Sequence, residues 1–126
     1  MTKYFYKHTL IGIKITGFPQ GSVPQTDPKE AVGVLTFKHP RGAYFKAHVH
    51  RPKKRVTNQR QECFIVRKGR IKMNLYGPDK KKFRSITLKA GELFVAMRGG
   101  HDISVLEDCE LFEVKNGPFQ EDKIFI

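Results

Sequence analysis

Residues 62–76 read ECFIVRKGRIKMNLY, and their alternation decides the fold class. Successive side chains of an extended strand point to opposite faces. In Glu62–Arg67 both faces are apolar, with Phe64 and Val66 on one and Cys63 and Ile65 on the other. Such a strand belongs in the middle of a sheet, one side toward a barrel interior and the other toward a second layer or subunit. In Ile71–Tyr76 the alternation is cleaner: Ile71, Met73 and Leu75 share one face, and Lys72, Asn74 and Tyr76 share the other. The basic RKGR between them reads as a solvated hairpin end, so the stretch predicts two strands, 61–67 and 70–76.

The same texture extends outward. Short runs rich in Val, Ile, Phe and Tyr predict further strands at 10–15, 31–37, 43–50, 84–89, 92–96, 101–106 and 109–115. YGPDKKK (76–82) and KAGE (89–92) are turns by their Gly, Pro and Asp content. GFPQGSVPQTDPKE (17–30) carries three prolines and two glycines, and reads as a long surface loop or an arm laid over the domain. Helical periodicity is absent. Many short strands with no crossover helices make an antiparallel sandwich or barrel. The expected organisation is one domain over 1–126: an N-terminal strand or arm over 1–30, a barrel core over 31–116 and a tail over 117–126.

A chain of 126 residues can bury a core without disulfide staples. At 39% hydrophobic and 29% charged, its composition is that of a soluble globular domain and not of a disordered one. The apolar run TLIGIKI (9–15) is short and interrupted by Lys14, and the N-terminus lacks a signal-peptide layout, so no membrane association is expected. Cys63 and Cys109 each sit in an apolar strand-like run and read as reduced core thiols of a cytoplasmic protein.

The 24 Lys and Arg against 12 Asp and Glu give a net charge of +12. Charge of this size favours polyanions, anionic membrane surfaces or phosphorylated small molecules. The basic residues cluster at 51–55, 67–72 and 80–84, without aromatic residues interleaved as in single-strand stacking platforms. Zinc-finger and helix-turn-helix spacings are missing too. Nucleic acid therefore ranks last among partners, behind a small anionic molecule.

KAHVHRPKKRVTNQRQECFIVRKG (46–69) places His48 and His50 one residue apart. On a strand over 43–50 their side chains would point the same way, about 6.6–6.8 Å apart along it. Two imidazoles so placed can converge on one ion at roughly 2.0–2.2 Å. They equally suit the polar lining of a metal-free pocket. The spacing is not the helical H-E-x-x-H of zinc proteases. Lys72, Asn74 and Tyr76 on one strand face, and Arg60, Gln61 and Arg98 elsewhere, are candidates for holding a small polar ligand; an arginine can grip a carboxylate or phosphate bidentately. His8 and His39 lack such context and read as surface residues.

The order of features is more specific than any one of them. Gly42, His48-x-His50, Glu62 and Gly69 are followed by GELFVAMRGGHDISV (91–105), a glycine-opened strand ending in a Gly-Gly turn and His101. This arrangement resembles the two motifs of the cupins, which are small jelly-roll β-barrels. Residues 32–123 further resemble a family of small single-domain cupins, through AGE, GGHDISVLEDCELFEVK and GPFQEDK. Some of its relatives occur among genes for surface-polysaccharide or nucleotide-sugar synthesis.

The resemblance implies His48, His50, Glu62 and His101 as ligands of one divalent transition metal (Fe, Mn, Ni, Co or Zn), with Asp102 as a reserve oxygen ligand. It also implies a homodimer, and either isomerase-, epimerase- or dioxygenase-like chemistry on a sugar-like anion or plain binding of it. Catalytic residues are not assigned. This chain departs from the pattern in three places. Eleven residues separate His50 from Glu62, Met97 stands where proline is usual, and Val105 where asparagine is.

Overall fold

The chain forms eight strands and no helix, described over all 126 residues by a computed structural model. β1 (Thr2–Tyr6) and β2 (Thr9–Ile15) make a hairpin. β3 (Gly21–Pro24) and β4 (Leu35–Lys38) make a separate two-stranded ribbon. β5 (Glu62–Tyr76), β6 (Lys82–Lys89), β7 (Leu93–Ala96) and β8 (Gly100–Lys115) complete the main sheet. Its order is β1-β2-β7-β5-β6, with β8 on the other side of β5, and every pairing is antiparallel. The all-β antiparallel class is as expected.

β5 is the axis of the sheet. Phe64 and Val66 of its first half share one core with Ile71, Met73 and Leu75 of its second half, joined by Ile11, Leu88 and Phe94. Its other face is buried near the start, where Cys63 packs with Ile13, Ile15, Val95 and Met97 under Val32 and Val34. The expected two-sided burial of Glu62–Arg67 therefore holds, and the second layer comes from this chain's own residues 32–34.

The inward positions are even-numbered before residue 67 and odd-numbered after 70. A strand of strict period two cannot do this without an extra residue. The register between β5 and β8 slips three times between Val66 and Ile71, which supplies the change. At the centre of these slips Gly69 has φ +82°, and a Cβ there would overlap the Asp108 carbonyl. RKGR is thus a bulge within one continuous strand, where the sequence predicted a break. The runs 101–106 and 109–115 likewise fuse into β8.

The bulge bends the sheet into half a barrel. Leu75, the register partner of His101, lies thirteen residues beyond Glu62, roughly 43 Å along a flat strand. Yet His101 Nε2 is 3.7 Å from Glu62 Oε1, and its ring centroid is 5.1 Å from that of Phe64. The two ends of β5 have therefore been brought round to face each other. Cross-strand pairs Arg67–Glu110 and Arg70–Glu107 flank the bend. Being exposed, they contribute at most about 1 kcal/mol each, so the curvature is held by the apolar core.

Three further departures have physical causes. The expected strand over 43–50 does not form: Val49 is 94% exposed, Tyr44 is 79% exposed, and the segment has no partner strand to complete its hydrogen bonds. β3 lies inside the Pro-rich stretch 17–30 because its carbonyls and amides pair with β4, Gly21 opposite Lys38 and Pro24 opposite Leu35. β1, outside the predicted strands, is an aromatic run whose Tyr4 and Tyr6 rings pack at 6.1 Å from Phe94 and 5.2 Å from Phe83.

Replacing Gly69 by alanine combines left-handed strain with overlap against Asp108. We expect Gly69→Ala to lose about 2–4 kcal/mol in urea unfolding. A wild-type midpoint would show that the bend does not depend on this glycine.

Candidate functional site

Because β5 curls, four chain segments that are distant in sequence meet at one cleft of about 630 Å³. Glu62 enters from the start of β5 and Tyr76 from its end. Arg98 follows β7, His101 and Asp102 open β8, and Arg60 precedes β5. Residues Asp122–Ile126 of the tail close one side, with Ile126 seated over Gly100.

Glu62 is the chemical centre. Burial first, then a shared hydrogen bond and the charge of Glu113, push its carboxyl up to about 7, against the opposing pull of Lys115 and Arg60. Lys115 Nζ stands 3.7 Å from Glu62 Oε2 and 3.4 Å from Glu113 Oε1. Glu113 takes the complementary role: the hydrogen bond from Glu62 holds it below the usual carboxylate range. The two carboxyls are thus pushed in opposite directions, with Lys115 across them.

Burial lowers the pKa of His101, against the charges of Glu113 and Asp102, and so favours the neutral imidazole. Its 3.7 Å approach to Glu62 is then neither an ion pair nor a hydrogen bond. A carboxyl that titrates near neutrality beside a neutral imidazole can give and take protons from a ligand placed between them.

The flanks are more fixed. Asp102 accepts hydrogen bonds from Tyr76 Oη at 2.7 Å and from Asn74 Nδ2 and N at 3.1 Å. Burial opposes its charge, but these bonds hold its carboxyl below the ordinary range, and Asp102 raises the Tyr76 phenol in turn. Arg98 is held by both oxygens of Glu30, at 3.1 and 3.2 Å. Arg60 is held more loosely, by a 3.9 Å approach to Asp122, a 3.5 Å contact to the Gln120 carbonyl and the Phe119 ring 5.8 Å from its guanidinium carbon.

Of the residues singled out from sequence, Glu62, His101, Arg60, Arg98, Tyr76 and Asp102 line this cleft. Gln61 is buried instead: its Oε1 accepts from Val32 N and its Nε2 donates to Glu30, so it ties the second layer to β5. Lys72 and Asn74 sit on the face of β5 opposite the core, where Asn74 accepts from Ser85. His48 and His50 lie in the exposed segment before β5, with rings 5.0 Å apart and His48 Nδ1 bonded to the Lys46 carbonyl. No three His, Cys, Asp or Glu side chains are grouped to hold a metal ion. As arranged, the structure joins Glu62 to His101 and leaves His48 and His50 apart from them.

No protein-family model, curated protein or solved structure matches the chain. The family resemblance stands on its motifs alone.

Sequence reasoning missed Glu113, Lys115 and the tail. The first two were legible only as an alternation in ELFEVK that a pairing register converts into neighbours of Glu62 and Phe64. The apolar end of KIFI was the sole hint that the tail packs on anything.

A carboxyl raised by folding stabilises the native state below its unfolded pKa of 4.5, and this contribution is lost as pH rises through about 7. Glu62→Gln keeps the neutral form at every pH. Its Tm should therefore gain on the wild type between pH 4.5 and 7 and keep that gain at pH 8. A constant difference across this window would mean that Glu62 is not raised by its surroundings.

Proposed function

We propose that this half-barrel is a single-domain cupin jelly roll whose cleft receives a small anionic polar metabolite of the sugar or nucleotide-sugar kind. The observation that carries it is the Glu62–His101 pair at the junction of the curled strand ends, with the loosely held Arg60 beside it to take a carboxylate or phosphate in place of Asp122. Glu62 supplies a group poised near neutral pH, and Tyr76 with Asp102 supplies a fixed hydrogen-bonding wall. Proton transfer on a carbonyl-bearing sugar, as in isomerisation or epimerisation, is the chemistry this pair favours. Binding without turnover uses the same contacts. The free thiols of Cys63 and Cys109 suit a reducing, cytoplasmic setting. No helix is long and apolar enough to cross a membrane.

A second reading adds a divalent transition metal (Fe, Mn, Ni, Co or Zn) held by His48, His50, Glu62 and His101. The meeting of Glu62 and His101 favours it, while His48 and His50 as arranged do not fit, so no chemical step is assigned to the ion. A third element is a homodimer, supported by β8. Its sixteen residues pair only with β5, and Val105, Phe112 and Val114 on it are at least half exposed.

The first test is a thermal-shift and calorimetric screen with sugar phosphates and nucleotide-sugars. A bound ligand should lose about ten-fold or more in affinity in Arg60→Ala. No binder in the panel, or an unchanged Arg60→Ala, would remove this function.

Elemental mass spectrometry on protein purified without a metal-affinity tag tests the ion. One equivalent, lost in both His48→Ala and Glu62→Ala, supports the four-ligand site; retention in both removes it. Light scattering tests the dimer: Phe112→Glu should convert dimer to monomer, and a monomeric wild type would remove that partner.

A further inference from the structure

The basic arm and an aromatic cluster beside it form a second surface, none of whose three rings lines the cleft. Phe37 is on β4 and Ser22 opposite it on β3. Ser22 Oγ and His39 Nε2 are 2.8 Å apart, which fixes the His39 ring next to Phe37. Pro40–Ala43 then turns the chain back, with Ala43 N donating to the Pro40 carbonyl at 3.2 Å and Gly42 at φ +93° in the position a type II turn gives to glycine. The turn delivers Phe45 onto the other two rings, 4.8 Å from His39 and 5.3 Å from Phe37. Phe37 and Phe45 remain 52% and 53% exposed, so each presents ring surface to solvent.

The charge around these rings is of one sign. From Ala31 to Gln61 there are eight Lys and Arg and no Asp or Glu. The protein's ion pairs lie elsewhere, many of them on β8. None of the seven basic residues from Lys38 to Arg55 has an acid within 4.0 Å. Of the basic clusters at 51–55, 67–72 and 80–84, only the last holds an aromatic residue, and that ring, Phe83, packs on Tyr6. The interleaving lies one segment earlier, in FKHPRGAYFK (37–46). There an aromatic platform and unpaired cations coincide, which are the two requirements for holding an unpaired strand.

We propose that this surface binds single-stranded nucleic acid, with bases stacked on Phe37 and Phe45 and the backbone phosphates taken by the arm from Lys38 to Arg55. A protein partner would need an acidic surface and an apolar one in register. A polynucleotide carries phosphates and π-faces at every residue. The exposed backbone of 44–56, which pairs with no strand, lets the arm follow a flexible strand.

The test is fluorescence anisotropy with an oligothymidylate of about ten nucleotides, within the ~4–16-nucleotide range of such sites. The competitors are duplex DNA and heparin, and the measurement is repeated over a salt series. Phe37→Ala with Phe45→Ala should weaken single-strand binding about ten-fold or more while leaving the salt slope unchanged. Phe37→Tyr with Phe45→Tyr should restore it. Lys53→Gln, Lys54→Gln and Arg55→Gln together should lower the salt slope by about 2, at ~0.7 per phosphate contact. Three outcomes would overturn the proposal: no binding, a double alanine variant that binds like the wild type, or heparin and duplex competing as well as the single strand. Circular dichroism of each variant, with Glu62→Gln as a control, separates loss of this surface from loss of fold or of the cleft.

Discussion

The cleft depends on one continuous strand changing its inward face halfway along. Phe64 and Val66 could not share a core with Ile71, Met73 and Leu75 if β5 kept a period of two throughout. The bulge around Gly69 resolves the conflict and bends the strand as it does so. Without the bend, Glu62 and Tyr76 would stand at opposite ends of a flat sheet. With it, they border the same cleft, and β8, paired along the whole of β5, brings His101 round to Glu62.

The order of energies is clear from where the atoms lie. Phe64, Ile71, Met73, Leu75, Leu88 and Phe94 are all at or below 1% exposure. Removing any one of the larger side chains would cost several times what an exposed ion pair contributes. The ion pairs along β8 therefore tune pairing and solubility, while the core fixes curvature. The polar groups buried near the cleft are all bonded: Gln61 to Val32 and Glu30, Asp102 to Tyr76 and Asn74. This rigid surround lets burial raise Glu62 instead of letting water neutralise the effect.

The sequence made the all-β class and the double-sided burial of Glu62–Arg67 legible, because both follow from alternation and β-branched content. Of the residues singled out from sequence, Glu62, His101, Arg60, Arg98 and Tyr76 border one cleft, while Gln61, Lys72 and Asn74 do not. The sequence failed where a glycine's meaning depends on long-range pairing. Gly69 reads locally as the end of a hairpin, and only the β8 carbonyl of Asp108 turns it into a bulge. His48 and His50 fail to join the cleft for the converse reason. AYFKAHVH has the composition of a strand, but composition cannot supply the neighbour to which a strand must bond. Motif order brought the four residues into one idea; backbone hydrogen bonding brings only two of them together. β3 was missed because a Pro-rich run takes its strand character from its pairing with β4, and β1 because its tyrosines find their packing on Phe94 and Phe83, distant in sequence.

The tail over the cleft has a practical side. Ile126 packs on Gly100, and Asp122–Ile126 line the cleft beside His101. Whatever is joined to the chain after Ile126 therefore begins at the rim of the cleft. A C-terminal affinity handle would compete with the ligand for space and bring its own histidines within reach of Glu62. An N-terminal handle, attached at the far edge strand β1, leaves that rim as the fold made it.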